Sequence, residues 1–220
     1  MLTETGRQPD TQNKIMQYIA GILRLLASIF FNSTYLFHPN VVKGGSLGVI
    51  ELYEQIGAHF MISFVVLGAA LAVELYMKRD KGPMIVGSIS VALFAVVLLF
   101  IAGILTLYDV IEDITFDPFS GVFITGSLIL ITCQVVELIA TFSRGEEENR
   151  ILMMISMVLA IVCTLFFFLG AVFSIEDVLI PEDSRSGLWE SSMERRAALF
   201  ITGSVLYSVH AIAYLVDAFM

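Results

Sequence analysis

A hydrocarbon core of about 30 Å is crossed by about 20 helical residues rising about 1.5 Å each. Five runs of this chain meet that requirement outright: 56–77, 84–108, 121–142, 151–175 and 197–220. A sixth run, 14–36, carries Arg24 near its middle, which leaves open a second reading as an amphipathic helix lying in the membrane interface. The runs are continuously apolar rather than alternating, so a transmembrane β-barrel is excluded. Composition points the same way. Hydrophobic residues make up 57% of the 220 positions, charged residues only 15%, and mean hydropathy is +0.86, where a soluble domain carries about 25% charge. The fold class predicted is an all-α integral membrane protein with six transmembrane helices, forming one transmembrane domain over 1–220.

Lysine and arginine set the orientation. With six spans, the side shared by the termini carries Arg7, Lys14, Lys78, Arg79, Lys81, Arg144 and Arg150, against Lys43, Arg185, Arg195 and Arg196 on the other. The positive-inside rule then places both termini in the cytoplasm or its equivalent. The opposite face is acidic: Asp109, Glu112, Asp113 and Asp117 fill the third loop, and Glu176, Asp177, Glu182, Asp183, Glu190 and Glu194 the fifth. These read either as solvated loops or as a vestibule that gathers cations by its field. Trp189 is expected to anchor the fifth loop at the lipid interface. The polar N-terminal stretch lacks the short apolar core of a cleaved leader and is expected to be retained.

Internal similarity organises the six runs. The pentapeptide FITGS stands at Phe123–Ser127 and again at Phe200–Ser204, and the match runs on without a gap to Phe142 and Phe219 at a constant offset of 77. A weaker copy begins at Phe60, aligning Phe60 with Phe123 and Phe200, and Ser63 with Gly126 and Gly203. The odd runs align around Ser28, Gly103 and Gly170. The chain therefore reads as three tandem helical hairpins, about 14–77, 84–142 and 151–220. Because the first unit needs its first helix, 14–36 is expected to cross the membrane despite Arg24. Helix association in lipid depends on close packing rather than hydrophobic drive, so Ser28, Gly103, Gly126, Gly170 and Gly203 are assigned to helix contacts.

A helix with a small-residue turn, a polar loop and a second helix opening F-I-x-G-S resembles the YrhK-like domain, most closely in the two later units. The resemblance implies a small membrane hairpin module, single or in tandem, with no reaction, cofactor or ligand attached. The first unit departs from it, with Ser63 and Phe64 in place of the Gly-Ser pair.

Four charges stand inside the spans: Arg24, Glu74, Glu137 and Asp217. Each costs roughly 2.5–3.5 kcal/mol at a helix centre on insertion scales, and so requires a partner or a wet cavity. Glu74 and Glu137 share a repeat position, and Asp217 lies three residues past the matching Tyr214. Arg24 can snorkel towards the same end, which predicts its pairing with Glu74 or Glu137. Gly203, Tyr207, His210, Tyr214 and Asp217 step by four and three along one face of the last helix. Ser127, Gln134, Glu137 and Thr141 form a stripe on the fourth. Such stripes read as hydrogen-bonded packing, or alternatively as a proton or cation path through His210, Gln134 and Glu137.

Other chemistry is not supported. Cys133 and Cys163 both lie in apolar runs, and His38, His59 and His210 are too dispersed for a metal site. Phosphate-binding, dinucleotide and serine-nucleophile motifs are absent, as are a basic patch for nucleic acid and the Pro-x-acid-x-x-base signature of mitochondrial carriers. Asn32-Ser33-Thr34 matches a glycosylation sequon, but at the membrane edge. The expectation is a non-enzymatic polytopic protein without cofactors, in contact with the bilayer. It would serve as a structural or accessory component beside other membrane subunits or copies of itself. The alternative is a small proton or cation transporter.

Overall fold

A computed structural model describes the backbone of residues 8–36, 49–112, 118–143, 151–179 and 188–219, with side chains described over 12–33, 57–105, 121–143, 151–173 and 198–219. Six helices account for these residues: α1 Gln8–Leu36, α2 Val49–Met77, α3 Pro83–Glu112, α4 Pro118–Ser143, α5 Ile151–Leu179 and α6 Leu188–Phe219. Each contains a segment long and apolar enough to cross a membrane, the first being Gln12–Ser33 with Arg24 inside it. The chain is an all-helical multi-pass membrane protein. Of the acidic residues expected in loops, Asp109 and Glu112 continue α3, Glu176 and Asp177 continue α5, and Glu190 and Glu194 stand in the first turns of α6, so these helices run further than the apolar spans alone indicated. Asp113, Asp117, Glu182 and Asp183, and the side chains of all ten and of Trp189, fall outside the described residues.

Local chemistry sets the helix ends. Pro83 and Pro118 open α3 and α4, where the missing N–H is one that no helix would pair. Between α2 and α3 the chain turns through Gly82 at φ 100, a left-handed conformation that glycine adopts without steric penalty. The amide of Lys81 donates to the Lys78 carbonyl at 2.9 Å to close this turn.

The helices form a closed ring. Each packs on its neighbours in the chain, and α6 returns to pack on α1; the α1–α2, α3–α4 and α5–α6 contacts are the most extensive. Outward faces are lined by large apolar residues at helical spacing, such as Ile15, Ile19, Ile22, Leu26 and Ile29 on α1 and Val205, Val209, Ile212 and Val216 on α6, all exposed and therefore facing lipid. Hydroxyls on the outside satisfy themselves. Ser90, Thr125, Thr132, Ser143 and Thr202 each donate to the carbonyl four residues earlier on their own helix, as hydrocarbon surroundings demand.

At the ring's centre Phe60, Phe123 and Phe200 meet edge to face, with centroids 5.9, 6.0 and 6.3 Å apart. These are the three residues that the even-helix alignment superposes, and their packing is close to threefold about the ring axis. The odd helices keep a different register from the one expected. An added Cβ on Gly126 would meet the Leu99 side chain and the Ala95 carbonyl, and one on Gly203 would meet Phe167 and the Cys163 carbonyl. Matching partners are thus 68 residues apart, and the same spacing reaches back to Phe31 and Ala27, both buried. Gly103 and Gly170 do approach other chains of atoms closely, but not equivalently: Gly103 faces Met61 of α2, and Gly170 faces Phe200 of α6. Ser28 is buried and donates to the Leu25 carbonyl at 2.7 Å. Apolar helices align almost equally well in several registers, and here the contacts of Gly126 and Gly203 decide between them.

Gly203→Ala is expected to destabilise the detergent-solubilised protein by about 1–3 kcal/mol, the usual cost of overpacking, because its Cβ would stand 2.9 Å from the Phe167 ring and 3.2 Å from a backbone oxygen. Gly87→Ala, with nothing within 4 Å, should leave the melting temperature unchanged or raise it. Thermal unfolding of the two variants side by side checks this.

Candidate functional site

Inside the ring, on the terminus side of the phenylalanine cluster, α1 presents Arg24. Its side chain is buried, and its Nη2 pairs with the Glu74 carboxylate of α2. Nη1 lies 3.3 Å from His210 Nε2, and the guanidinium covers the Tyr214 ring at 4.6 Å. Glu74 uses its other oxygen to accept from Lys78 Nζ at 2.6 Å, and Lys78 reaches on to Glu137 of α4 at 2.5 Å. Arg24, Glu74, Lys78 and Glu137 thus form one chain of alternating charge joining α1, α2 and α4. Within this quartet the charges cancel, which removes most of the cost of holding any one of them in the membrane.

Lys78 was not foreseen as part of the interior, since its sequence position suggested an ordinary surface charge. The available signal was its spacing from Glu74, one turn earlier on the same helix. It stands one residue beyond the apolar segment Gly57–Met77. Burial pulls its ammonium down, but the carboxylates of Glu74 and Glu137 outweigh this and hold Lys78 protonated beyond the ordinary lysine range.

His210 is fully engaged. Its Nδ1 lies 2.8 Å from the Ser156 carbonyl, which can only accept, so Nδ1 carries a proton and donates. Nε2 is then the lone-pair nitrogen facing the Arg24 donor. The neutral ring links α5, α6 and α1. Asp217 accepts from Gln17 at 3.3 Å, a second bond between the first and last helices. Asn32 donates to Ser208 at 2.7 Å and to the Ser28 carbonyl at 2.8 Å, so the sequon asparagine is committed inside the bundle.

These residues surround a cavity of about 460 Å³. It begins among exposed Asn13 and Lys81 at the terminus-side end and reaches Phe31, Phe64, Phe123 and Phe167, which form its floor. Gln134, Glu137, Tyr207, His210, Tyr214 and Asp217, separated along two helices, all line it. The register above accounts for the space. Ala92 and Ala160 stand where α3 and α5 repeat the place of Arg24, and both border the cavity. One long side chain therefore fills an axis that two others leave open.

Some polar atoms of the residues that line this cavity are buried away from its open space and have no protein partner among the described residues: the Ser127 hydroxyl, the Gln134 side-chain oxygen and Arg24 Nε. The Tyr207 hydroxyl lies beside Arg24 but in no hydrogen bond of good geometry. Buried polar groups almost always find a partner, and hydroxyls facing lipid in this same molecule do so. Among the described residues no three His, Cys, Asp or Glu side chains cluster to hold a metal. Comparison of the chain with models of known families, with curated protein sequences and with solved structures gives no match.

Lys78→Met should lower stability by about 2 kcal/mol, because it leaves the Glu137 carboxylate without its cation; adding Glu137→Gln should restore part of the loss. The sign of the pH dependence follows from the raised affinity of Lys78 for its proton. Its contribution is complete below the unfolded value of 10.5 and fades only above the still higher folded value. The difference in melting temperature between wild type and Lys78→Met should therefore stay constant from neutral pH up to 10.5.

Proposed function

We propose that this membrane protein is a non-enzymatic carrier that admits a small polar solute from the terminus side into a blind axial cavity, the phenylalanine cluster closing the far end. The observation that carries this reading is a cavity of about 460 Å³ whose lining includes the polar side chains of Gln17, Glu74, Lys78, Gln134, Glu137 and Asp217, a size within the usual range of small-molecule sites. A purely structural or accessory bundle gains nothing from such space, because unfilled volume forfeits packing energy. The two engaged nitrogens of His210 and the direct pairing of Glu74 and Glu137 with Arg24 and Lys78 count against a path for protons or cations, since the groups that would pass them on are already committed to one another. On the strength of its FITGS segments we also propose kinship with the YrhK-like domain, which adds no reaction or ligand. The terminus side is taken as the cytoplasmic one from the lysine and arginine bias.

Gln134→Cys in a Cys133→Ala/Cys163→Ala background tests the reading in sealed vesicles. A membrane-impermeant methanethiosulfonate reagent should label it from the terminus side alone. Thr132→Cys, two residues away and facing lipid, should stay unlabelled. Protection of Gln134→Cys from both sides would mean a dry bundle and would overturn the carrier.

A further inference from the structure

We infer that the solute taken into the axial cavity is an amphiphile, a polar head on a single slender apolar chain that lies innermost; this rests on the carrier reading above. The cavity has two unlike halves. Its mouth is lined by Asn13, Gln17, Lys78, Lys81, Glu137 and Asp217, which offer donors, acceptors and charges of both signs to a head that keeps part of its water. Arg24, Glu74 and His210 stand next. Beyond them the wall is hydrocarbon, with Leu67, Leu71, Ala92, Leu130 and Ala160 leading to the phenylalanine floor. The polar side chains of this inner half are withdrawn or engaged. The hydroxyls of Ser127 and Tyr207 are buried away from its space, and Thr164 donates to the Ala160 carbonyl at 2.8 Å.

Dimensions point to the same class. On α2 the lining runs from Lys78 to Phe64, about 21 Å of helix at about 1.5 Å per residue. One leaflet of a hydrocarbon core is about 15 Å deep, so this length takes an acyl-sized chain and leaves its head at the mouth. A volume of about 460 Å³ drawn out over that length is slender and suits one chain rather than a two-chain lipid. A solute polar throughout would surrender water in the inner half without gaining partners. A chain instead displaces water that few protein groups are placed to hold. A solute with no head would gain nothing over the surrounding bilayer, whose tails are as apolar as these leucines.

Gln134 lies one turn inside Glu137 on α4, where the chain would pass. Protection of Gln134→Cys from the methanethiosulfonate reagent, in the same vesicles and the same Cys133→Ala/Cys163→Ala background, therefore tests the inference. Alkanoates and alkylphosphocholines, from hexyl to tetradecyl, are added below their micellar concentrations, and protection is read against free aqueous concentration. The expected result, in at least one series, is protection that strengthens about three- to fourfold per added methylene and levels off once the chain reaches the phenylalanine floor. Ala92→Leu, which fills part of the inner half, should move that plateau to shorter chains, and Leu67→Ala, which enlarges it, to longer ones. Val91→Leu, on the lipid-facing side of α3, should leave it in place. The opposed shifts keep the test informative if one cavity variant folds poorly. Protection independent of chain length in both series would overturn the amphiphile and leave the carrier standing. So would protection that grows without levelling and ignores both cavity variants, the mark of adsorption to the bilayer. Labelling of Gln134→Cys that no member of either series reduces would overturn this inference alone. An unlabelled Gln134→Cys would remove the carrier and the inference together.

Discussion

An arginine in the middle of a membrane helix can be held only where its charge is met by protein, and that requirement organises this bundle. Arg24 binds Glu74, half-faces His210 and covers Tyr214, so a single side chain ties α1 to α2 and α6. Glu74 is then shared with Lys78, and Lys78 with Glu137, which brings in α4. His210 in turn reaches α5 through the Ser156 carbonyl. The polar interior is a network strung around the ring axis rather than a set of separate pairs. Its geometry obliges the first and last helices to meet, a contact reinforced by Gln17–Asp217 and Asn32–Ser208.

The two ends of the axis are built on opposite principles. Away from the termini it is closed by phenylalanines in edge-to-face contact and by helices that approach at Gly126 and Gly203. Towards the termini it widens, because alanines on α3 and α5 replace the long side chain of α1. The near-threefold packing of the phenylalanines gives way there to an asymmetric cavity. This change of character along one axis is what supports a site reached from one side only.

Much of this was legible in the sequence. Five spans follow from length and hydropathy, and the sixth from the repeat, which required a helix where Arg24 argued against one. Pairing of Arg24 with Glu74 or Glu137 followed from their common depth, and the structure places the contact at Glu74. The stripes on α4 and α6 indicated Gln134, Glu137, Tyr207, His210 and Tyr214 as interior residues. Lys78 escaped because it sits just past an apolar run, where a lysine ordinarily faces water. The register of the odd helices escaped because Ser28, Gly103 and Gly170 match within similar apolar strings, while the contacts that fix register lie on the even helices. The cavity could not be read at all. It depends on Ala92 and Ala160 facing the same axis as Arg24, a relation that exists only once the ring closes.

The claim on which the rest depends is that Arg24 and Glu74 compensate one another inside the membrane. A double-mutant cycle with Arg24→Leu and Glu74→Gln, read as unfolding free energy in mild detergent, addresses it directly. Arg24→Leu alone leaves a quartet with one excess negative charge and should cost about 3 kcal/mol. Adding Glu74→Gln leaves Lys78 and Glu137 as a neutral pair and should recover a substantial part of that loss. Strictly additive losses, or an Arg24→Leu variant as stable as wild type, would contradict the account.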